Sequence, residues 1–181
     1  MSSEMEQKLE ELQKKVSQMK PGADNKMSMV IFSGELDKVL AAFIIATGGA
    51  ALGLKVVMFF TFWGTAALRD PKKHAKGKNF MSKMFGFMLP RGSKKLKLSK
   101  MHMAGAGTAM LKGLMKKKKV ASIEEMVKLA SQMGVEIQIC EMSMDLMGFK
   151  KEEMIDYPNM KSAGVATFIN EARNSKIQLF I

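Results

Sequence analysis

Cysteine is almost missing from this chain: Cys140 is the only one among 181 residues. An internal disulfide is therefore impossible, and so is a zinc site built from several cysteines. Histidine is nearly as scarce. His74 and His102 both lie in a lysine-rich stretch, which leaves little basis for Ser-His-Asp or Cys-His catalysis. Aromatic residues make up 7% of the chain, with one Trp and one Tyr. Neither a GxxxxGKS phosphate loop nor a complete GxGxxG loop occurs; Gly105 and Gly107 begin the latter, but no third glycine follows at the required place. No metal or cofactor is expected. Apolar runs of membrane length are also lacking. The longest apolar tract, 39–63, is interrupted by Lys55 just after Gly48, Gly49 and Gly53, and its unbroken part, 39–54, falls short of the ~20 residues of a spanning helix. The first twenty residues are too charged for a secretory leader, so a cytoplasmic location is expected.

What is present is enough apolar material, 47%, to build a core. Basic residues outnumber acidic ones 29 to 17, for a net charge of +12, and the excess is concentrated. The segment 69–119 holds 16 Lys and Arg against one acid, Asp70, while the rest of the chain has 13 basic and 16 acidic residues. The pattern is a mildly acidic body carrying one strongly basic insertion. Within it, 80–88 and 101–115 are apolar and Met-rich and read as two short helices, with a short strand at 120–121. Such a segment either packs on its own fold or offers adaptable apolar contacts to a partner.

The remaining chain alternates strand and helix. Residues 1–20 form a polar helix with a heptad-like stripe of Met5, Leu9, Leu12, Val16 and Met19, closed by Pro21-Gly22 and a linker to residue 26. From residue 27 a single α/β domain is expected to run to 181. It has strands at 29–32, 56–60, 135–139 and 177–181, and helices at 36–50, 122–133, 143–147 and 165–174, with a helical turn near 151–155. The 36–50 helix is apolar nearly all round and is expected to be well buried. Ser122 and Glu125 make a capping box, and Glu35 and Asp37 suit the positive end of a helix. This order predicts a three-layer α/β/α fold with a mostly parallel sheet, plus the basic helical insertion and the N-terminal helix.

In such sheets reactive groups gather at the carboxyl ends of the strands. Three segments qualify: Ser33-Gly34, Thr61–Gly64 and Cys140–Ser143. A thiol where a strand hands over to a helix is expected at the lip of the sheet, open to solvent, acidic and nucleophilic. The alternative is a small hydrophobe inside the core.

The string Gly134-Val135-Glu136-Ile137-Gln138-Ile139-Cys140-Glu141-Met142-Ser143-Met144-Asp145-Leu146-Met147-Gly148 resembles the active-cysteine signature of DsrE/DsrF-like proteins, in particular the DsrE2-type, peroxiredoxin-like branch. Phe32–Lys38, Phe59–Gly64, Gly164–Phe168 and the closing strand support the resemblance, which covers roughly 27–181. Ala163 stands where a second glycine would be expected before Gly164. The resemblance implies a homo-oligomer and a sulfurtransferase or sulfur carrier that accepts sulfane sulfur on Cys140 as a persulfide and exchanges it with donor and acceptor proteins. Backbone N–H groups near Met142 and Ser143 would then hold the anion, Trp63 and Gly64 would shape the pocket mouth, and Ser33 and Gly34 would line the cleft. The rival expectation is a binding module with an inert cysteine that docks through 69–119 on an anionic membrane at its periphery, on a partner protein, or on nucleic acid. Nucleic acid fits least, because Phe80, Phe85 and Phe87 cluster together instead of interleaving with the lysines.

Overall fold

A computed structural model describes residues 24–75 and 80–181. The expected helix 1–20, its Pro21-Gly22 stop and the first residue of the linker lie outside the described residues. Strand β1 (Asp24–Ile31) begins within the last part of that linker, because Lys26 is drawn into the ladder beside Lys55. Helix α1 (Leu36–Ala51) returns the chain to β2 (Lys55–Phe60), and a 3₁₀ segment (Phe62–Leu68) leads into the insertion. The insertion contains α2 (Phe80–Met88), two short 3₁₀ turns (Ser93–Lys95 and Met103–Gly105) and α3 (Ala106–Lys117). Then follow α4 (Ile123–Gln132), β3 (Glu136–Cys140), α5 (Glu141–Met147), β4 (Met160–Ala163), α6 (Val165–Ala172) and β5 (Ser175–Phe180). The five strands pair in the order β4-β3-β2-β1-β5, and all four ladders are parallel.

Helices cover both faces of the sheet, as expected for an α/β fold, but unequally. On one face Met29, Ile31, Met58, Phe60, Ile137 and Ile139 pack against α1, α4 and α5 through Val39, Phe43, Met126 and Met147. The residues between them in the strands, Val30, Phe59 and Cys140, point to the other face, where α6 supplies Phe168 and Ala172. Lys26 pairs with Glu171, and Ser28 shares a 2.7 Å hydrogen bond with Ser175, so polar contacts help seat α6.

Three local expectations need correction. Helix α1 is buried along one side only: Ile44 and Ile45 face outward, 48% and 39% exposed, because all its buried residues pack toward one sheet face. Residues 120–121 are not a strand; they cross over to the Ser122 cap, where Ser122 Oγ accepts from Glu125 N and Glu125 Oε2 accepts from Ser122 N. β4 was not expected at all. Its four residues lack β-branched side chains, and its pairing is secured from a distance: Ile137 N–H donates to Asn159 O (2.9 Å), and the Tyr157 hydroxyl donates to Val135 O (2.7 Å).

Two of the contacts that fasten the insertion to the body involve Arg69 and Asp37. Arg69 is buried; its Nη1 donates to the carbonyls of Gly86, Leu89 and Pro90 at 3.3–3.4 Å, its Nη2 lies 3.7 Å from Glu153 Oε1, and its guanidinium stands 4.4 Å from the Phe149 ring centroid. Burial draws the guanidinium pKa down and Glu153 opposes that shift, but an arginine stays charged. Around Asp37, Leu36 N donates to Lys97 O (2.8 Å), and Ser99 donates to Asp37 through its N (2.9 Å) and its Oγ (2.5 Å).

Candidate functional site

Cys140 is the last residue of β3 and the N-cap of α5, with φ −65° and ψ 115°. The change from extended to helical backbone happens at this residue, so its side chain stays on the α6 face while the chain turns away. Its register partner on β4 is Ala163. Phe59, Phe168 and Ala172 complete the cluster, with the Phe59 and Phe168 rings stacked at 4.7 Å. The thiol is 0% exposed. The expectation of a sulfur open to solvent at the lip of the sheet is therefore corrected: Cys140 is sealed in a cluster with Phe59 and Ala163 beside it and Phe168 and Ala172 of α6. One strand position earlier on the same face, Gln138 is buried; its Nε2 donates to Glu136 Oε1 (2.6 Å), and its Oε1 has no partner among the described residues. Glu136 is in turn 2.8 Å from Lys161 Nζ. Burial alone would raise the Glu136 pKa, but its bonds to Gln138 and Lys161 outweigh that and hold it low.

The three strand-end segments do meet. Thr61 N–H donates to Ile31 O (3.1 Å), and Gly64 N–H donates to Phe32 O (3.0 Å). A Cβ on Gly34 would stand 2.5 Å from Trp63 O, and one on Gly64 would run into Ile31 O, so both positions require a residue without a side chain. The Ser143 hydroxyl accepts from Phe62 N (3.0 Å) and lies 2.9 Å from Thr61 Oγ1, which ties α5 to the loop after β2. Ser143 is 0% exposed and serves as a brace. Ser33 accepts from Lys38 Nζ (3.1 Å), Trp63 is 46% exposed at the surface of the same edge, and Met142 points outward at 53%. Sequence reasoning did not find the Thr61–Ser143 brace or the Phe168–Ala172 cover. Phe168 did sit inside a string that carried the resemblance, but nothing local reveals which strand face a helix will cover. Among the described residues, no three His, Cys, Asp or Glu side chains converge as a metal site would need. None of their helices is long and apolar enough to cross a membrane.

A buried lone thiol at a strand end, clustered with side chains of α6 and beside two braced loops, defines a single-cysteine α/β protein. The chain belongs to the DsrE/DsrF/DrsH-like family, whose model matches residues 23–180. It is 43% identical over 154 residues to a Bacillus subtilis (strain 168) protein named "Uncharacterized protein YrkE", covering 85% of this chain and 95% of that one. It is 38% identical over 160 residues to the sulfur carrier protein DsrE2 of Allochromatium vinosum, covering 86% and 98%. The crystal structure of the ychN protein from E. coli aligns with 86% of this chain and 99% of its own, at 10% identity and a TM-score of 0.47, a likeness too loose to bear on the argument.

Proposed function

We propose that this protein is a sulfur carrier in which Cys140 takes up sulfane sulfur and hands it to a cysteine of a second protein. The observation that carries the reading is the position of the chain's single thiol, at the carboxyl end of β3 where the loops after β1, β2 and β3 are braced together. Family membership and the name of the Allochromatium relative support it. The chemistry needs one thiolate only. Cys140 Sγ attacks the terminal sulfur of a donor persulfide; the donor's S–S bond breaks, a new S–S bond forms on Cys140, and the donor leaves as its thiolate. The acceptor repeats the exchange in the other direction, so no outside oxidant or reductant enters. Because the thiol is covered, transfer requires the α6 side to open, by local fluctuation in the free protein and further on docking of a donor or acceptor. The reading also includes a second copy of the chain laid over the α6 and β5 surface.

The test is intact-mass analysis after incubation with cysteine persulfide. Wild type gains one sulfur atom and Cys140→Ser gains none; absence of loading under conditions that load a rhodanese-type control overturns the reading. The full burial of Cys140 favours a second reading, a docking module with an inert cysteine, in which the exposed Phe80, Phe87 and Met88 of α2 and the basic residues of the segment 69–119 meet an anionic surface. Alkylation that occurs only after unfolding selects this second reading.

A further inference from the structure

Away from Cys140, the insertion and the body form a half-open cleft of about 800 Å³, within the size range of sites that hold small molecules. Its wall is aliphatic: Leu36 at the start of α1 and Ile123 at the start of α4, both 3% exposed, together with Met115 and Val120. Its rim is cationic. Lys112 and Lys116 are four residues apart on α3 and share a face, and Lys94 and Lys119 flank them. Lys119 takes φ +57°, a conformation glycine usually fills, and this turn brings Val120 back so that its N–H donates to Met115 O (2.9 Å). The two glutamates of the rim are engaged already. Glu124 accepts from Ser93, and Glu125 closes the α4 cap. Lys112 uses one of its three donors on Lys94 O (2.7 Å). Four lysines against two glutamates leave the rim net cationic.

The lining also shows what does not fit. Among the described residues it contains no aromatic ring to stack on a base and no arginine fork for bidentate phosphate recognition. We propose that the cleft binds a free long-chain fatty acid, with the alkyl chain along Leu36, Met115 and Ile123 and the carboxylate among Lys112, Lys116 and Lys119. Because the wall belongs half to the insertion and half to α1 and α4, occupancy clamps the insertion to the body.

Calorimetric titration of the full chain with laurate, below its micelle concentration, tests this. Saturable one-to-one binding is expected, with a rise in melting temperature. Butyrate, which lacks the chain, and dodecyltrimethylammonium, which carries the same chain on a cation, bind at least about tenfold more weakly. Met115→Trp fills the wall and abolishes binding. The surface pair Lys112→Glu/Lys116→Glu, which leaves the wall intact, weakens laurate and strengthens the cationic amphiphile. Equal binding of laurate and dodecyltrimethylammonium, or laurate affinity unchanged in the charge-reversed pair, overturns the proposal. So does phosphatidylglycerol-vesicle binding that Met115→Trp removes, because the cleft would then belong to membrane lipid.

Discussion

Cys140 owes its surroundings to a few side chains. Of these, Phe168 is the aromatic ring that α6 adds to its cluster, stacked on Phe59 and 6% exposed. Truncating such a ring costs about 3–5 kcal/mol. If as little as about 1.4 kcal/mol of that falls on local opening of α6, modification of the thiol speeds up about tenfold. Phe168→Ala is therefore expected to lower the urea midpoint and to accelerate iodoacetamide labelling of Cys140 in the still-folded protein. A lowered midpoint with an unchanged labelling rate would show that α6 is not the cover. Ser143 works differently at the same edge. Its hydroxyl satisfies Phe62 N and Thr61 Oγ1 within the fold.

At the scale of elements, the insertion behaves as a strap held by charge and hydrogen bonds. Arg69 and Glu153 are both nearly inaccessible, and losing either partner would strand a buried charge, a loss that typically costs about 3–5 kcal/mol. The other fastening, Asp37 with Ser99, is sensitive to pH. Burial by itself raises the Asp37 pKa, but the hydrogen bonds from Ser99 Oγ and N outweigh it, and the carboxyl is held below its ordinary value. A carboxyl whose pKa is depressed on folding stabilises the fold above its unfolded pKa, and that contribution disappears as pH falls through the folded one. The urea midpoint of wild type should thus exceed that of Asp37→Asn near neutrality, and the gap should close between about pH 5 and about pH 2. A gap constant across that range would mean that the carboxylate is not what holds the strap. Gly148 adds a steric fastening: it has φ +62°, and a Cβ there would collide with Ser82 of α2, so the end of α5 and the insertion helix lie in direct contact.

For the whole molecule, the imbalance between the two sheet faces matters most. Among the described residues, three helices cover one face and α6 alone lies on the other, and Val165, Ile169 and Phe180 are 52%, 56% and 71% exposed on α6 and the edge strand β5. Large apolar side chains exposed on one face suit an interaction site, and in the proposed function a second copy occupies it. Light scattering coupled to size exclusion should then give a mass above the 20.1 kDa of one chain. Ile169→Glu should return it to the single-chain mass without unfolding it. A wild-type mass of one chain at micromolar concentration would rule this assembly out.

Much of the architecture was legible from local chemistry. β-branched and apolar runs marked β2 and β3, Gly53 and Gly134 marked their entries, the Ser122–Glu125 pair marked the start of α4, and the strand-to-helix transition marked Cys140 as the residue at the edge. The same local chemistry left Met160–Ala163 unrecognised, because that strand exists through pairing with β3 and not through its own propensity. It also left the exposure of Cys140 undetermined. Short-range pattern decides which way a side chain alternates along a strand. Whether the face it joins is solvent or core depends on a helix that begins 25 residues later, and only the packing of Phe168 and Ala172 across the sheet decides that.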